Sequence, residues 1–265
     1  MLPERTNRLL RAIDGYPSAS DLLLVGGTAL ALRIAHRRSA DLDFAFASQR
    51  LPRLEIDNLL EELRTGHDVA PMANVAAEQD FIDSGLEFAD YQRDYSVDGV
   101  KVSFFTPDPS KSGQALRGEV GVQGLKRNQV ADLNSLFLMK AVTLNSRMTT
   151  RDLFDVYTLV REHGYREADI FRYAQEFDFS PDTLKTRLRH ARRRIDDPGI
   201  EVPGGVSPTF EQLQAFFVDA INRLEQGAAA EAVQQRMMES SGSGATEPKR
   251  GGRRRSRARG KSRSQ

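Results

Sequence analysis

The run Leu22-Leu23-Leu24-Val25, stopped by Gly26-Gly27 and followed by Leu30, Leu32 and Ile34 at helical spacing, restricts this chain more than any other stretch. Four apolar residues stopped by two glycines read as a short buried strand, and the immediate change to a 3.6-residue period calls for a strand, a tight turn and a helix. Thr28 is placed to cap that helix. Such a unit belongs in an α/β layer, and its neighbours agree. Leu9, Leu10 and Ile13 make one face of a helix closed by Gly15-Tyr16-Pro17, Asp41 to Phe46 alternates as a strand, and Arg53 to Arg64 is helical. Residues 68 to 105 read as antiparallel strands, with Leu86-Glu87-Phe88 and Val100 to Phe105 flanking a turn at Asp98-Gly99.

Past Pro109 the pattern turns helical, with helices predicted over Leu133 to Arg147, Arg151 to His163, Glu167 to Phe177, Pro181 to Ile195 and Pro208 to Glu225. Ser180-Pro181 and Ser207-Pro208 have the cap-then-proline order of a helix start. The expected organisation is an α/β (α+β) core over residues 1–108, a helical domain over 109–239, and a disordered Arg-rich tail over 240–265. That tail holds nine of the 38 basic residues between Lys249 and Arg263, whereas the body through Pro248 nets −8. Its flexible arginines suit the phosphates of an RNA, or a return onto the acidic body.

No cysteine occurs, which excludes disulfides and thiolate zinc sites, and four scattered histidines lack zinc spacing. No apolar stretch approaches the ~20 residues that cross a bilayer, and Met1-Leu2-Pro3-Glu4-Arg5 does not begin a secretory signal. A cytoplasmic location without a membrane partner is the expectation.

A strand ending in Gly26-Gly27-Thr28 and opening a helix gathers backbone N–H groups where phosphate is favoured, and glycines let the phosphate approach. By itself this is equally a tight turn with a cap. Asp41-Leu42-Asp43 adds chemistry, because strand alternation turns both carboxylates to one side and Leu42 to the other. At about 6 Å and an effective dielectric of ~20, two such charges repel by roughly 3 kcal/mol, and a divalent cation reverses the sign. Oxygen-only ligands select Mg2+ or Mn2+, with a nucleoside triphosphate alongside. The alternative is two solvated acids on an edge strand.

A second cluster lies in Lys140, Arg147, Arg151, Asp152 and Asp155. Lys140 and Arg147 stand two helical turns apart on one face, and Asp152 and Asp155 share a face of the next helix. A solvated face or an interhelical salt bridge is the plain alternative.

Residues 26 to 44, Gly-Gly-Thr-Ala-Leu-Ala-Leu-Arg-Ile-Ala-His-Arg-Arg-Ser-Ala-Asp-Leu-Asp-Phe, resemble the first motif of the AbiEii/AbiGii toxin family, a branch of the DNA polymerase beta-like nucleotidyltransferases. Gly26-Gly27-Thr28, the basic pair His36-Arg37, and Ser39 before Asp41 and Asp43 match it. The segment from Lys140 through Arg151-Asp152-Leu153-Phe154-Asp155 resembles the second motif. The resemblance implies a nucleotidyltransferase core with a mixed sheet. It further implies metal on Asp41 and Asp43, and catalytic roles for Asp41, Asp43, Asp152 and Lys140. Nucleotide contacts fall to Gly26, Gly27, Thr28, Arg37, Ser39 and Lys140, while Arg151 and Asp155 are supporting or structural. It implies the toxin of a toxin–antitoxin or abortive-infection pair, which passes a nucleoside monophosphate from an NTP to an acceptor such as tRNA and is partnered by a cognate antitoxin.

One departure stands out: polymerase beta-like enzymes place a third carboxylate on a later strand, and Val100 to Phe105 carries none, leaving Ser103 there. Asp152 would then substitute, or a single metal would carry the reaction. The gap keeps two rivals open, a nucleotidyltransferase of small molecules such as antibiotics, and a catalytically silent binding subunit.

Overall fold

The computed structural model describes residues 2–20, 22–73, 78, 81, 83–107, 116–197 and 199–242. Its elements run α1 (Glu4–Gly15), β1 (Leu23–Val25), α2 (Gly26–Ile34), β2 (Leu42–Ala45), α3 (Arg53–Arg64), β3 (Val69–Met72), β4 (Gln92–Val97) and β5 (Val100–Phe105). The chain continues through β6 (Gly118–Glu119), β7 (Gln129–Ala131), α4 (Leu133–Thr143), α5 (Thr150–Glu162), α6 (Glu167–Glu176), α7 (Pro181–His190) and α8 (Phe210–Gly242).

Among the described residues seven strands form one sheet in the order β3-β4-β5-β2-β1-β7-β6. The sheet is mixed, because β2 runs parallel to β5 and β1 parallel to β7 while the other pairs are antiparallel. Its centre is dry: Leu24, Leu42, Phe44, Val102 and Phe104 are fully buried, and the rings of Phe44 and Phe104 stack 5.8 Å apart. That apolar block fixes the register Val25–Asp43–Ser103–Asp94 across four strands, which places these residues in one row on one face.

Several boundaries differ from expectation for local reasons. Asp98 and Gly99 both adopt positive φ, 50° and 75°, so the hairpin has a two-residue loop. Such a loop leaves no slack, and the partner of Val100–Phe105 is therefore Gln92–Val97 rather than Leu86-Glu87-Phe88. Thr28 does not cap α2, which begins at Gly26. The last helix starts after Thr209 rather than at Ser207-Pro208, because Thr209 and Gln212 cap it reciprocally, each side chain accepting from the other's backbone N–H. Ser180 does cap α7, accepting from Thr183 N–H with Pro181 in the first turn.

Strands β6 and β7 lie beyond the residue-108 boundary expected from the sequence, yet they extend the same sheet through β1. The chain forms one compact unit through Ile221 and a second from Asn222. The described part of the second unit, residues 222–242, is helical, so Ser240 to Gly242 belong to α8 rather than to a tail. The basic run Lys249 to Arg263, and the disorder expected of it, lie outside the described residues. Among the described residues no helix is long and apolar enough to cross a membrane.

Candidate active site

The chain leaves β1 at Val25 and enters α2 through Gly26, whose φ of +71° favours a residue without Cβ. A Cβ there would stand 2.5 Å from Asp43 Oδ2, and one on Gly27 would stand 2.5 Å from Arg37 Nη2 and 2.9 Å from Ser39 Oγ. Both glycines are therefore required by close approach. No side chain caps α2, so its first N–H groups open onto a cleft of about 200 Å³ that Ser39, Asp41, Asp43, Lys140 and Asp152 also line. Thr28 is not part of that lining. It is fully buried and donates its hydroxyl to the Asp41 carbonyl, which fastens the start of β2 to α2.

Asp41 and Asp43 differ from every other acid around the cleft. Neither carboxylate accepts a hydrogen bond or forms an ion pair with a described side chain. Burial, and after it the negative charge of Asp41, pushes the Asp43 carboxyl above its ordinary range. Two oxygen ligands side by side without a donor, next to a backbone cradle, fit a hard divalent cation. No group of three acids or histidines gathers to hold a metal among the described residues.

The other two acids are saturated. Asp155, fully buried, accepts from Arg37 Nε at 2.6 Å and Nη2 at 2.8 Å, bonds His36 Nε2 at 2.7 Å, and pairs with Lys140 Nζ at 2.7 Å. Burial alone would raise its pKa, but the Lys140 charge and the Arg37 and His36 hydrogen bonds hold it well below the usual carboxylate range. His36, with its ring stacked on Phe154, is pushed down chiefly by burial. Arg37, expected to touch nucleotide, lines the cleft beside Gly27 while its Nε and Nη2 donate to Asp155. Asp152 accepts from Lys140 Nζ at 3.1 Å, Arg147 Nε at 3.1 Å and the Thr149 hydroxyl at 2.7 Å. Burial works against its charge, and Lys140 and Arg147 more than offset that, lowering its pKa. Lys140 itself is raised despite burial, by Asp155 and Asp152. Arg147 is past the end of α4, not on a shared helical face with Lys140; the two converge through Asp152 instead. Arg151 reaches the cleft edge with its Nε on the Gly199 carbonyl.

On the sheet, Ser103 stands directly beside Asp43, in the position where a third acid was sought. Asp94, one strand farther on the same row, carries a carboxylate the sequence reading did not single out. It is taken up by Gln92 Nε2 at 3.0 and 3.2 Å and by Lys101 Nζ at 3.5 Å. Gln92, Lys101 and Ser103 line a second cleft of about 300 Å³, which meets the first at Gly26, Asp43, Lys140 and Arg147.

The Asp155 hub is not visible in the sequence pattern, which gives Asp155 only a supporting place, because its partners His36 and Arg37 lie 119 and 118 residues away along the chain. The adjacency of two basic residues after α2 to an acid in Arg-Asp-x-x-Asp offered a pairing signal, but nothing local ranked it. An uncharacterized protein of Aquifex aeolicus (strain VF5) is 24% identical over 225 residues, covering 82% of this chain and 94% of that protein. Among solved structures, MenT4, a nucleotidyltransferase toxin of Mycobacterium tuberculosis H37Rv, matches at 14% identity with a TM-score of 0.50 over 82% of this chain and 80% of its own, a likeness of fold. An H. pylori protein assigned as a nucleotidyltransferase matches at 18% identity with a TM-score of 0.46, over 85% and 96% of the two chains. The model of the nucleotidyl transferase AbiEii toxin family, described as a type IV toxin–antitoxin system, matches residues 8–243, and the chain belongs to that family.

Proposed function

We propose that this chain transfers a nucleoside monophosphate from a nucleoside triphosphate to a hydroxyl of an RNA such as tRNA, and that it is the toxin held in check by a cognate antitoxin. The observation that carries the reading is the pair of unpartnered carboxylates, Asp41 and Asp43, facing the Gly26-Gly27 cradle in a cleft whose remaining acids are neutralised. In this reading the first N–H groups of α2 bind triphosphate oxygens, helped by the positive end of the helix dipole. Ser39 adds a hydroxyl at the same edge. Lys140 keeps one of its three N–H donors beyond those given to Asp152 and Asp155, and places its charge where the two clefts meet. Arg147 sits at the same junction. Mg2+ or Mn2+ held by Asp41 and Asp43 would screen the triphosphate and the charge developing at the α-phosphorus. The acceptor hydroxyl attacks that phosphorus, the bond to the β-phosphate oxygen breaks, and pyrophosphate leaves. Thr28 and Arg37 act as positioning residues for β2 and for the cradle, and Asp152 orients Lys140 and Arg147.

Support for RNA as the acceptor comes from nine Lys and Arg residues between Lys249 and Arg263. A second reading, a binding subunit without transfer, is favoured by Ser103 beside Asp43. The two separate when the purified protein is incubated with each α-labelled triphosphate, Mg2+ and total RNA. Label in RNA that disappears with chelator is the expected result, whereas nucleotide binding without label in any acceptor overturns the transferase reading.

The cradle itself is tested at Gly26. Gly26→Ala imposes a left-handed φ on alanine, which costs about 1–2 kcal/mol, and drives a methyl into the Asp43 carboxylate. Transfer should fall at least about ten-fold, since a misplaced reacting group costs up to ~100-fold. Labelled-triphosphate assays on the folded variant check this.

A further inference from the structure

The segment Lys185 to Arg194 carries six Lys and Arg residues and His190, with no acid between Thr183 and Ile195. Its first part has a structural reason: Arg187, Arg189 and His190 occupy the last turn of α7, where cations complement the helix dipole. That reason ends with the helix. Arg192, Arg193 and Arg194 follow in irregular chain and are exposed, as is His190. The chain leaving α7 is held in place by Gln214 of α8, whose Nε2 bonds the carbonyls of Leu188, Arg189 and Ala191 at 2.9–3.1 Å. The arginines are thus presented on a pinned backbone. Among the described residues Arg194 pairs only with exposed Asp196, and Arg192 has no hydrogen bond or ion pair. An exposed pair of that kind contributes little, so both charges are available to a ligand.

This cationic strip is continuous with the cleft. Arg147, which touches Asp152 and lines the cleft, also lines a trough with Arg187, His190, Arg192 and Arg194, and Arg187 Nη2 donates to the Ser146 carbonyl at 3.1 Å. A further hollow carries on past His190 and Arg192 to Arg189 and Arg193. A small acceptor needs no such track, whereas a polyanion with its end in the cleft does. We infer that the phosphodiester backbone of the acceptor RNA lies along Arg147, Arg187, Arg192 and Arg194, and that this surface, on the compact unit, delivers the acceptor end to Asp43. The inference rests on the transfer to RNA proposed above.

The test uses the full chain with Arg192→Ala/Arg194→Ala, and Arg192→Lys/Arg194→Lys as the charge-keeping control. RNA affinity is measured without triphosphate at several salt concentrations, and transfer is measured at varied RNA. Losing two phosphate contacts should make the slope of log affinity against log salt shallower by about 1.4 and raise KM for RNA roughly ten-fold near physiological salt, with little change in kcat. Calorimetric affinity for triphosphate should not change, and the lysine pair should restore the slope. An alanine pair that keeps both the wild-type slope and KM overturns the track. A wild type that binds RNA along these arginines but labels none removes the transfer reading instead, since the binding arm is read without triphosphate.

Discussion

Asp43→Asn yields a protein that melts higher than wild type in metal-free buffer and transfers no nucleotide. The two halves of this result share one cause. In the wild type, Asp41 and Asp43 face one cleft with no donor of their own, and burial and the Asp41 charge both raise the Asp43 pKa. A raised acid means that the folded state holds a proton the unfolded chain would release. Stability is therefore lost as pH rises from the ordinary carboxylate value through the folded one. The asparagine removes that loss. Its advantage should vanish near pH 4 and grow as pH rises, each 1 kcal/mol corresponding to roughly 2–4 °C for a chain of this size. Mg2+ should then raise the wild-type melting temperature and leave the variant unmoved. Scanning calorimetry at several pH values with and without Mg2+ reads all of this, and a variant less stable than wild type at pH 7 would count against the site.

The opposite behaviour is expected at Asp155. Asp155→Ala leaves Arg37, Lys140 and His36 buried around an empty anion position. Removing one partner of a buried ion pair costs about 3–5 kcal/mol, and here one carboxylate serves three groups, so the upper end applies. The expected fall in melting temperature is of order 10 °C or more, with transfer lost alongside. The pH dependence separates the groups. Asp155 is depressed, so its stabilisation is present above the ordinary carboxylate pKa and disappears as pH falls through its much lower folded value. His36 is also depressed, by burial, and being a base it loses stability earlier, as pH drops below its ordinary 6.5 and the unfolded chain takes up the proton first. Denaturant melts at pH 7.5, 5.5 and 4 should show wild type weakening between the first two, and Asp155→Ala weaker at every pH and falling at least as steeply there, because His36 stays buried and loses the carboxylate that favours its proton. Wild-type stability in the alanine variant would show that the buried cluster is not what holds α2 and α5 together.

The parts legible in the sequence were those whose signal is local. The apolar run before Gly26, the alternation around Asp41 and Asp43, and the residues of α3 each lie within one short window, and their placement on a mixed sheet followed. The Asp98-Gly99 turn was legible for the same reason, while its partner strand was misplaced to Leu86–Phe88 because Gln92–Val97 mixes charge into the pattern. Strands β6 and β7, two and three residues long, are too short to show a period of two, which hid the continuation of the sheet past residue 108. The convergence of Asp155 with His36 and Arg37 depends on how α2 and α5 pack, and no window of sequence contains it. The same holds for Lys140, legible as a phosphate ligand yet found first as the counter-charge of two aspartates. Arg187 to Arg194 read as the end of a helix, because its connection to Arg147 runs through space.

The proposed activity requires Asp41 and Asp43 to hold a cation beside a triphosphate in the Gly26-Gly27 cradle. Titrating Mn2+ into the protein with a non-hydrolysable triphosphate, read by calorimetry, measures that binding most directly. Saturable binding in wild type, lost in Asp41→Asn/Asp43→Asn while Asp94→Asn retains it, is the predicted result. Equal binding by the wild type and by the folded double variant would contradict the account.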